Sequence, residues 1–387
     1  MNSKVLEKLQ ATERRWDIDW LRIFVVLLLI PYHTARIFDY EPFYIKNDQL
    51  TEIITYWFVR VGDAFAMELL FLLAGAATWF ALKRRSWGRY AIQRIQRLLV
   101  PLFFGVFVLV PPIAYFAFRY HKDYQGSFLQ FYPQFFDIRS GGFLDFTGGF
   151  TVAHLWFIFF LLIFSLLALP LFLFFKRDSG VRLIRGIARF LSIPGLIILL
   201  FLPLLILEWC FDLTQNLIFF LIFYLTFFIY GYILIADDHF KEAIDRHKRL
   251  ALIFGPGLYI ILGIIPNTYE PNWLGLIYYR SLFPWLTIIA AMGYAQKYLL
   301  TAPKRSLSAL FLVYFGEASY PFYLLHLPVL VAIGYYVVMW NVSILFKYLV
   351  IVVLSYLGTI LIYDFFVRRS NITRFLFGMA PRKQNKT

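Results

Sequence analysis

The chain has 387 residues, of which 61% are hydrophobic, 21% aromatic and only 16% charged, and its mean hydropathy is +0.68. A soluble domain carries about 25% charged residues, so this composition excludes an ordinary soluble protein and favours an integral membrane protein. The net charge of +14 sits in short clusters between apolar stretches, so no nucleic-acid partner is expected. A single cysteine, Cys210, excludes an internal disulfide and a thiolate metal site, and no metal is expected.

A transmembrane helix needs about 20 mostly apolar residues, and about ten stretches of the chain meet this requirement. They predict an all-α integral membrane protein, a bundle of about ten transmembrane helices. A further short apolar piece at 307–315 is interpreted as an interfacial helix. The predicted spans are roughly 20–38, 57–82, 98–118, 152–175, 190–208, 216–235, 250–266, 276–296, 319–339 and 345–367.

The basic residues are distributed unequally between the two sides of these spans. Of the 37 Lys and Arg residues, 28 lie in the segments on one side and four in those on the other. The positive-inside rule places the richer side in the cytoplasm, which makes both termini cytoplasmic in an inner (plasma) membrane of bacterial type, among membrane lipids. We expect one membrane domain over 1–387, with its core at about 15–367 and a basic cytoplasmic tail at 368–387.

The first predicted span carries ionisable residues near both ends. Arg22 and His33 are eleven residues apart, about three helical turns, so both project from one face. Asp19 lies three residues before Arg22 and can pair with it across one turn. Two interpretations fit: Arg22 snorkels and His33 is a satisfied interior histidine, or both line a hydrated passage.

A basic segment precedes the third predicted span and ends with Arg94 and Arg97, three residues apart at the membrane entry. Planar guanidinium groups suit phosphate oxygens, so the pair is a candidate phosphate-binding site. A role in contacting lipid headgroups or in setting the topology is the alternative. On the opposite side, the loop 119–150 is rich in aromatic residues and is a candidate lid.

Two further spans open with histidines. His154 and Trp156 begin the fourth span, whereas Tyr323 and His326 lie in the first turns of the ninth. Histidine is the side chain best suited to proton transfer near neutral pH, but His326 could equally satisfy a backbone carbonyl. The other histidines, His121, His239 and His247, lie in charged loops and are interpreted as solvated.

Glu68 lies in the middle of the second predicted span. A buried ionisable residue at this depth needs a partner, and Arg60 and Arg280 are both candidates. The residues alone do not select between them.

Taken together, these residues resemble the acyltransferase 3 family of membrane proteins, in its branch of glucan-biosynthesis proteins. The matching pieces run in order from residue 17 to residue 328, so the resemblance covers nearly the whole chain. They are Asp19-Trp-Leu-Arg22 followed after ten residues by His33, Gly75 at the end of the second span, Arg94-Ile-Gln-Arg97 before Pro101, His154-Leu-Trp156-Phe, and Tyr323-Leu-Leu-His326-Leu-Pro328.

The resemblance implies an O-acyltransferase that moves an acyl group from cytoplasmic acyl-CoA, with acetyl-CoA or succinyl-CoA as donor substrate, to a hydroxyl of an extracytoplasmic acceptor. A carbohydrate or lipid-linked acceptor is expected. By the resemblance, His33 is the catalytic histidine accompanied by Arg22, and Arg94 and Arg97 bind the donor. We add His326 to the catalytic candidates, because it is a histidine near mid-depth.

The sequence departs from the family pattern at two positions. Ala74 stands where many members have serine, and Glu68 stands where the glucan branch has a neutral amide. The departures bear on which acyl group and acceptor are used. Direct transfer and transfer through an acyl-histidine are both open.

A proton-coupled secondary transporter or flippase for a polysaccharide precursor is the alternative function, because intramembrane His, Arg and Glu residues suit proton coupling. The missing internal repeat argues against it. A third hypothesis is a structural membrane partner in polysaccharide export.

Overall fold

The computed structural model describes residues 15–51, 58–210, 217–264, 278–300 and 307–382, and every regular element within them is a helix. The all-α prediction is therefore confirmed for this part of the chain. In chain order the helices are α1 (Trp16–Ala35), α2 (Arg60–Arg84), α3 (Trp87–Lys122), α4 (Phe128–Phe135), α5 (Trp156–Leu167), α6 (Leu169–Phe175), α7 (Asp178–Leu191), α8 (Leu202–Cys210), α9 (Leu217–Leu234), α10 (Asp238–Leu252), α11 (Leu258–Ile264), α12 (Phe283–Leu299), α13 (Leu307–Val337), α14 (Ile344–Val367) and α15 (Asn371–Leu376).

Six of these helices, α1, α2, α3, α9, α13 and α14, are long and apolar enough to cross a membrane. Two bent pairs raise the number to as many as eight in the described ranges, if each pair is one span. One pair joins α5 to α6 with a bend of 48°, and the other joins α7 to the segment Leu196–Cys210 with a bend of 118°. The count of about ten spans stays a prediction.

The structure bears on two further parts of the sequence prediction, the apolar piece at 307–315 and the seventh and eighth predicted spans. The apolar piece at 307–315 is not a separate interfacial helix, because α13 runs without a break through it and past Pro321 and Pro328. The predicted spans at 250–266 and 276–296 correspond to α11 and α12, and residues 265–277 between them lie outside the described residues.

Helix α3 contains two π-helical turns, Ile95–Leu99 and Gly105–Leu109. Each turn is followed within two residues by a proline, Pro101 or Pro111. Proline has no backbone N–H, and its ring clashes with the carbonyl four residues earlier, so a widened turn lets the helix continue. The first π turn carries Arg97, which is why the arginine pair sits at an irregular point of the helix.

The described residues divide into two compact units that interleave along the chain. The first comprises the described residues within 15–25, 61–90 and 164–316, and the second those within 26–60, 91–163 and 317–382. In the first unit α2 crosses α9 at two glycines. A Cβ atom on Gly75 would lie 1.9 Å from the Phe228 carbonyl oxygen, and one on Gly231 would lie 1.8 Å from that of Leu72. Only glycine permits this backbone approach.

The second unit holds the end of α1 against α14. The hydroxyls of Tyr348 and Tyr356 donate to the carbonyls of Pro31 and Leu27, at 3.2 and 2.6 Å. Lys347 is buried, and its ammonium group donates to the Asn47 side-chain oxygen at 2.7 Å. This bond ties the loop after α1 to the start of α14, so the segment that follows the first helix has a defined position.

The predicted tail at 368–387 contains a folded element. Helix α15 carries Arg374, which is buried and forms an ion pair with Glu317 at 2.5 Å. Phe377 packs on Phe104 of α3, with ring centroids 5.3 Å apart. The segment from α15 to Arg382 therefore packs on the second unit, and residues 383–387 lie outside the described residues.

Candidate active site

Three histidines from three helical segments meet in the second unit. His33 lies in the last turn of α1, His154 in the 3-10 turn before α5, and His326 in the middle of α13. The rings of His33 and His326 are stacked with centroids 5.2 Å apart, and the ring of His154 meets His326 edge-on, also at 5.2 Å. The structure thus brings together three side chains that the sequence places on separate predicted spans.

The hydrogen bonds of His326 and His154 determine which ring nitrogen carries the proton. His326 Nδ1 lies 2.6 Å from the Tyr323 carbonyl oxygen, which only accepts, so Nδ1 must be the donor. By the same argument His154 Nε2 donates to the Leu324 carbonyl at 3.0 Å. His326 Nε2 and His154 Nδ1 are therefore the nitrogens with a lone pair, and neither has a hydrogen-bond partner among the described residues.

Tyr323 completes the connection between α13 and the start of α5. Its hydroxyl donates to the His154 carbonyl, while its own carbonyl accepts from His326. The expectation that His326 bonds a backbone carbonyl is thus correct for Nδ1, but Nε2 remains available for chemistry. The side chain of His154 donates to the backbone of α13, and the side chain of Tyr323 on α13 donates to the backbone of His154. The two bonds hold α13 against the start of α5, and they thereby position His326.

Aromatic residues from the loops cover the histidine cluster. Phe43 stacks on His33 with ring centroids 5.9 Å apart and an interplanar angle of 16°. Tyr44 and Phe43 in turn pack against Phe146, which belongs to the predicted lid loop 119–150. The Phe43 carbonyl also lies 3.2 Å from His121 Nε2, so residues from two loops hold this cover over His33.

A buried ion pair fixes the loop that carries Phe43. The carboxylate of Asp39 is fully buried and lies 2.9 Å from the Arg36 guanidinium and 2.5 Å from the Lys46 ammonium. Lys46 also donates to the carbonyls of Arg36 and Asp39. Burial lowers the pKa of Lys46, and the hydrogen bond that Lys46 donates to the Asp39 carboxylate opposes this effect. Nothing in the local sequence pattern singled out this triad.

The arginine pair lies on the same unit as the histidines. Arg94 ends the α-helical start of α3 and is half-buried, whereas Arg97 lies in the π turn and is exposed. The Arg94 guanidinium interacts electrostatically with the hydroxyl of Tyr320 on α13. Tyr320, Tyr323 and His326 follow each other at three-residue spacing, so they mark one face of α13, with about 9 Å along the axis from Tyr320 to His326.

The remaining predicted site residues lie elsewhere. Asp19 and Arg22 form the predicted ion pair at 2.9 Å, and Arg22 precedes His33 by eleven residues, about 16 Å along the axis of α1. Trp156 follows His154 at the start of α5 and meets Phe160 edge-on at 6.0 Å.

Glu68 also belongs to the first unit. It is buried, and one of its carboxylate oxygens has no hydrogen-bond partner among the described residues. Of its two candidate partners, Arg280 interacts electrostatically with Glu208.

The interpretation of His247 as a solvated loop residue is wrong. The side chain is buried on α10, where Nδ1 donates to the Ala243 carbonyl at 2.8 Å and Nε2 accepts from the Gly195 N–H at 2.8 Å. It thereby satisfies the backbone of the bend before α8. The charged neighbours Asp245, Arg246 and Arg249 gave no sign of this, because they occupy the exposed side of an amphipathic helix.

Comparisons with known proteins identify the family of the chain. A family model described as an acyltransferase domain, of the acyltransferase 3 type, matches residues 15–364. The chain is 21% identical over 401 residues to glucans biosynthesis protein C of Salmonella paratyphi B, covering 96% of each chain, and 20% identical over 396 residues to that of Salmonella schwarzengrund, with the same coverage. No solved structure matches the chain. The chain therefore belongs to the acyltransferase 3 family of membrane proteins, and it is an acyltransferase.

Proposed function

We propose that the protein is a membrane O-acyltransferase that moves an acyl group of the acetyl or succinyl class from cytoplasmic acyl-CoA to a hydroxyl of an extracytoplasmic glycan. The observation that carries the proposal is the meeting of His33 with His326, whose Nε2 lone pair is unsatisfied. An imidazole with a free lone pair beside His33 can receive and return the proton that His33 takes from a hydroxyl.

The reaction needs one proton transfer and one exchange of bonds. His33 is the proposed general base, because its side chain is less buried than that of His326 and is the one an acceptor reaches first. It removes the proton of the acceptor hydroxyl, and the oxygen attacks the thioester carbonyl. The tetrahedral intermediate expels the thiolate of coenzyme A, which takes up the proton, so that an ester and free coenzyme A result.

Tyr323 is a weak candidate for stabilising the oxyanion of this intermediate. Its hydroxyl already donates to the His154 carbonyl, and a donor engaged in this way would first have to break that bond. We therefore assign Tyr323 and His154 to positioning His326. Trapping of a covalent acyl-histidine distinguishes a two-step route from direct transfer.

Arg94 and Arg97 are the proposed binding site for the phosphates of the donor. Guanidinium groups pair with phosphate oxygens through charge-assisted hydrogen bonds, and coenzyme A carries several phosphates. The face of α13 from Tyr320 to His326 leads from the level of Arg94 to the histidines, which supports a donor whose arm follows this helix.

The acceptor and the membrane orientation complete the proposal. The relatives carry the name glucans biosynthesis protein C, which supports a glucan as acceptor for this chain, and a lipid-linked glycan is the second acceptor class. About ten spans, cytoplasmic termini and a bacterial inner membrane are proposed from the distribution of Lys and Arg.

The decisive experiment incubates the purified protein in nanodiscs with labelled acetyl-CoA or succinyl-CoA and a periplasmic glucan, and follows transfer of label to the glycan. Transfer that depends on His33 supports the proposal. Accumulation of a glycan precursor in proteoliposomes without a covalent product would instead support the transporter hypothesis. Mass spectrometry of envelope glycans, with and without the protein, identifies the acyl group.

A further inference from the structure

Tyr320 has a buried hydroxyl that the described structure leaves without a hydrogen-bond partner. The Tyr320 ring and the Arg97 backbone both lie against Gly378. A Cβ atom added to Gly378 would be 2.5 Å from Cε1 of the Tyr320 ring and 2.7 Å from the Arg97 carbonyl oxygen. Tyr320 is therefore next to the backbone of the arginine turn, and its hydroxyl is within electrostatic range of Arg94. The phenol thus faces the place where the proposed donor phosphates bind.

An unmade hydrogen bond in a buried position costs about 1–3 kcal/mol, and a ligand that offers an acceptor to this hydroxyl recovers that cost on binding. The neighbouring tyrosine on the same helix face differs, since the hydroxyl of Tyr323 already donates to the His154 carbonyl. Of these two tyrosines, Tyr320 is therefore the one whose hydroxyl can still donate a hydrogen bond to a ligand. Cationic groups beside it select an anionic acceptor.

We infer that Tyr320 is a donor-binding residue, whose hydroxyl donates a hydrogen bond to a phosphate oxygen of the acyl donor held by Arg94 and Arg97. The inference rests on the proposed function, because it requires an acyl-CoA donor at the arginine pair. It assigns Tyr320 to binding and not to the chemical step, since about 9 Å of helix axis separates it from His326.

The test compares Tyr320→Phe with wild type in steady-state transfer from acetyl-CoA or succinyl-CoA. Removing one hydrogen bond to a charged group raises KM for acyl-CoA about tenfold or more and leaves kcat unchanged. With the corresponding acyl-pantetheine, which lacks the phosphates, variant and wild type have equal KM. A penalty that persists with acyl-pantetheine overturns the assignment to a phosphate.

Thermal unfolding separates this role from a structural one. Because the hydroxyl has no hydrogen-bond partner among the described residues, Tyr320→Phe is at least as stable as wild type without ligand, but coenzyme A raises its midpoint less than that of wild type. A lower midpoint without ligand, together with an undiminished response to coenzyme A, overturns the inference. Tyr348→Phe is the matched control: it removes a hydroxyl bonded to the Pro31 carbonyl, so it lowers stability slightly and leaves KM unchanged.

Failure of the inference and failure of the proposed function give different results. If the wild-type protein transfers from neither acyl-CoA, both proposals are overturned. If wild type transfers and Tyr320→Phe has wild-type KM, only the role of Tyr320 is lost.

Discussion

The imidazole rings of His33 and His326 are stacked, with 24° between their planes. His33 ends the first long helix, whereas His326 lies in a helix near the other end of the chain, so this contact depends on the fold of the second unit. It places a half-buried imidazole beside a buried one whose Nε2 is free of hydrogen bonds within the described residues. Two titratable rings in contact are suited to take a proton from a hydroxyl and to return it.

Replacing either histidine of this stack should abolish transfer without unfolding the protein. For His33→Ala we expect kcat to fall by about 10²–10⁴-fold, the usual contribution of a general base. His326→Asn is the sharper variant, because Asn retains a donor for the Tyr323 carbonyl but has no counterpart of Nε2. Label transfer to glucan is the measurement, with size-exclusion chromatography as the check of folding.

His239→Ala is the matched control for these variants, since His239 is exposed in the first turn of α10, where it pairs with Asp237. It should retain wild-type activity. If His326→Asn were as active as this control, the role of His326 would be structural and its Nε2 would take no part in the reaction.

His154 should tolerate glutamine but not alanine. Glutamine can still donate to the Leu324 carbonyl, whereas alanine leaves that buried carbonyl unpaired at a cost of about 1–3 kcal/mol. We expect His154→Gln to keep most activity and His154→Ala to lower both the thermal midpoint and kcat. Loss of activity in the glutamine variant with a normal midpoint would show instead that His154 takes part in proton transfer.

Asp39→Asn should destabilise the loop that covers His33. The substitution removes the carboxylate that forms ion pairs with both Arg36 and Lys46, and breaking such a buried pair costs about 3–5 kcal/mol. Thermal unfolding in detergent measures the loss. Asp48→Asn changes an exposed carboxylate of the same loop and should stay within about 0.5 kcal/mol of wild type. Equal effects of the two variants would contradict the importance of the triad.

Adding a single methyl group at the crossing of α2 and α9 should destabilise the protein. Gly75→Ala and Gly231→Ala each force a Cβ against a backbone carbonyl, and overpacking of this kind costs about 1–3 kcal/mol or prevents folding. Gly186→Ala is the control, because an added Cβ meets no atom within 4 Å and alanine favours the helix by about 0.5–1 kcal/mol. Yield of monodisperse protein and thermal midpoint distinguish the variants.

Several features of this protein follow from local sequence. Long apolar stretches predict membrane helices because the bilayer requires satisfied backbone hydrogen bonds, and the described helices agree. The Asp19–Arg22 pair follows from helical spacing, and the order of His33, Arg94, Arg97, His154 and His326 along the chain is enough to indicate an acyltransferase 3 protein. Each of these conclusions depends on residues within a few turns of each other, or on their order.

The arrangement of the site required the tertiary structure. Helical periodicity tells which face a residue occupies but not which distant helix packs against it, so the stacking of His33 on His326 and the cover by Phe43 could not be predicted. The tautomers depend on carbonyls that only the packed helices bring near, as with His154 and Leu324. The same holds for the buried His247, since an amphipathic helix conceals its interior residue among charged neighbours. Contacts between residues far apart in the sequence arise when side chains of the folded protein pack closely, so they depend on every helix that contributes to the packing.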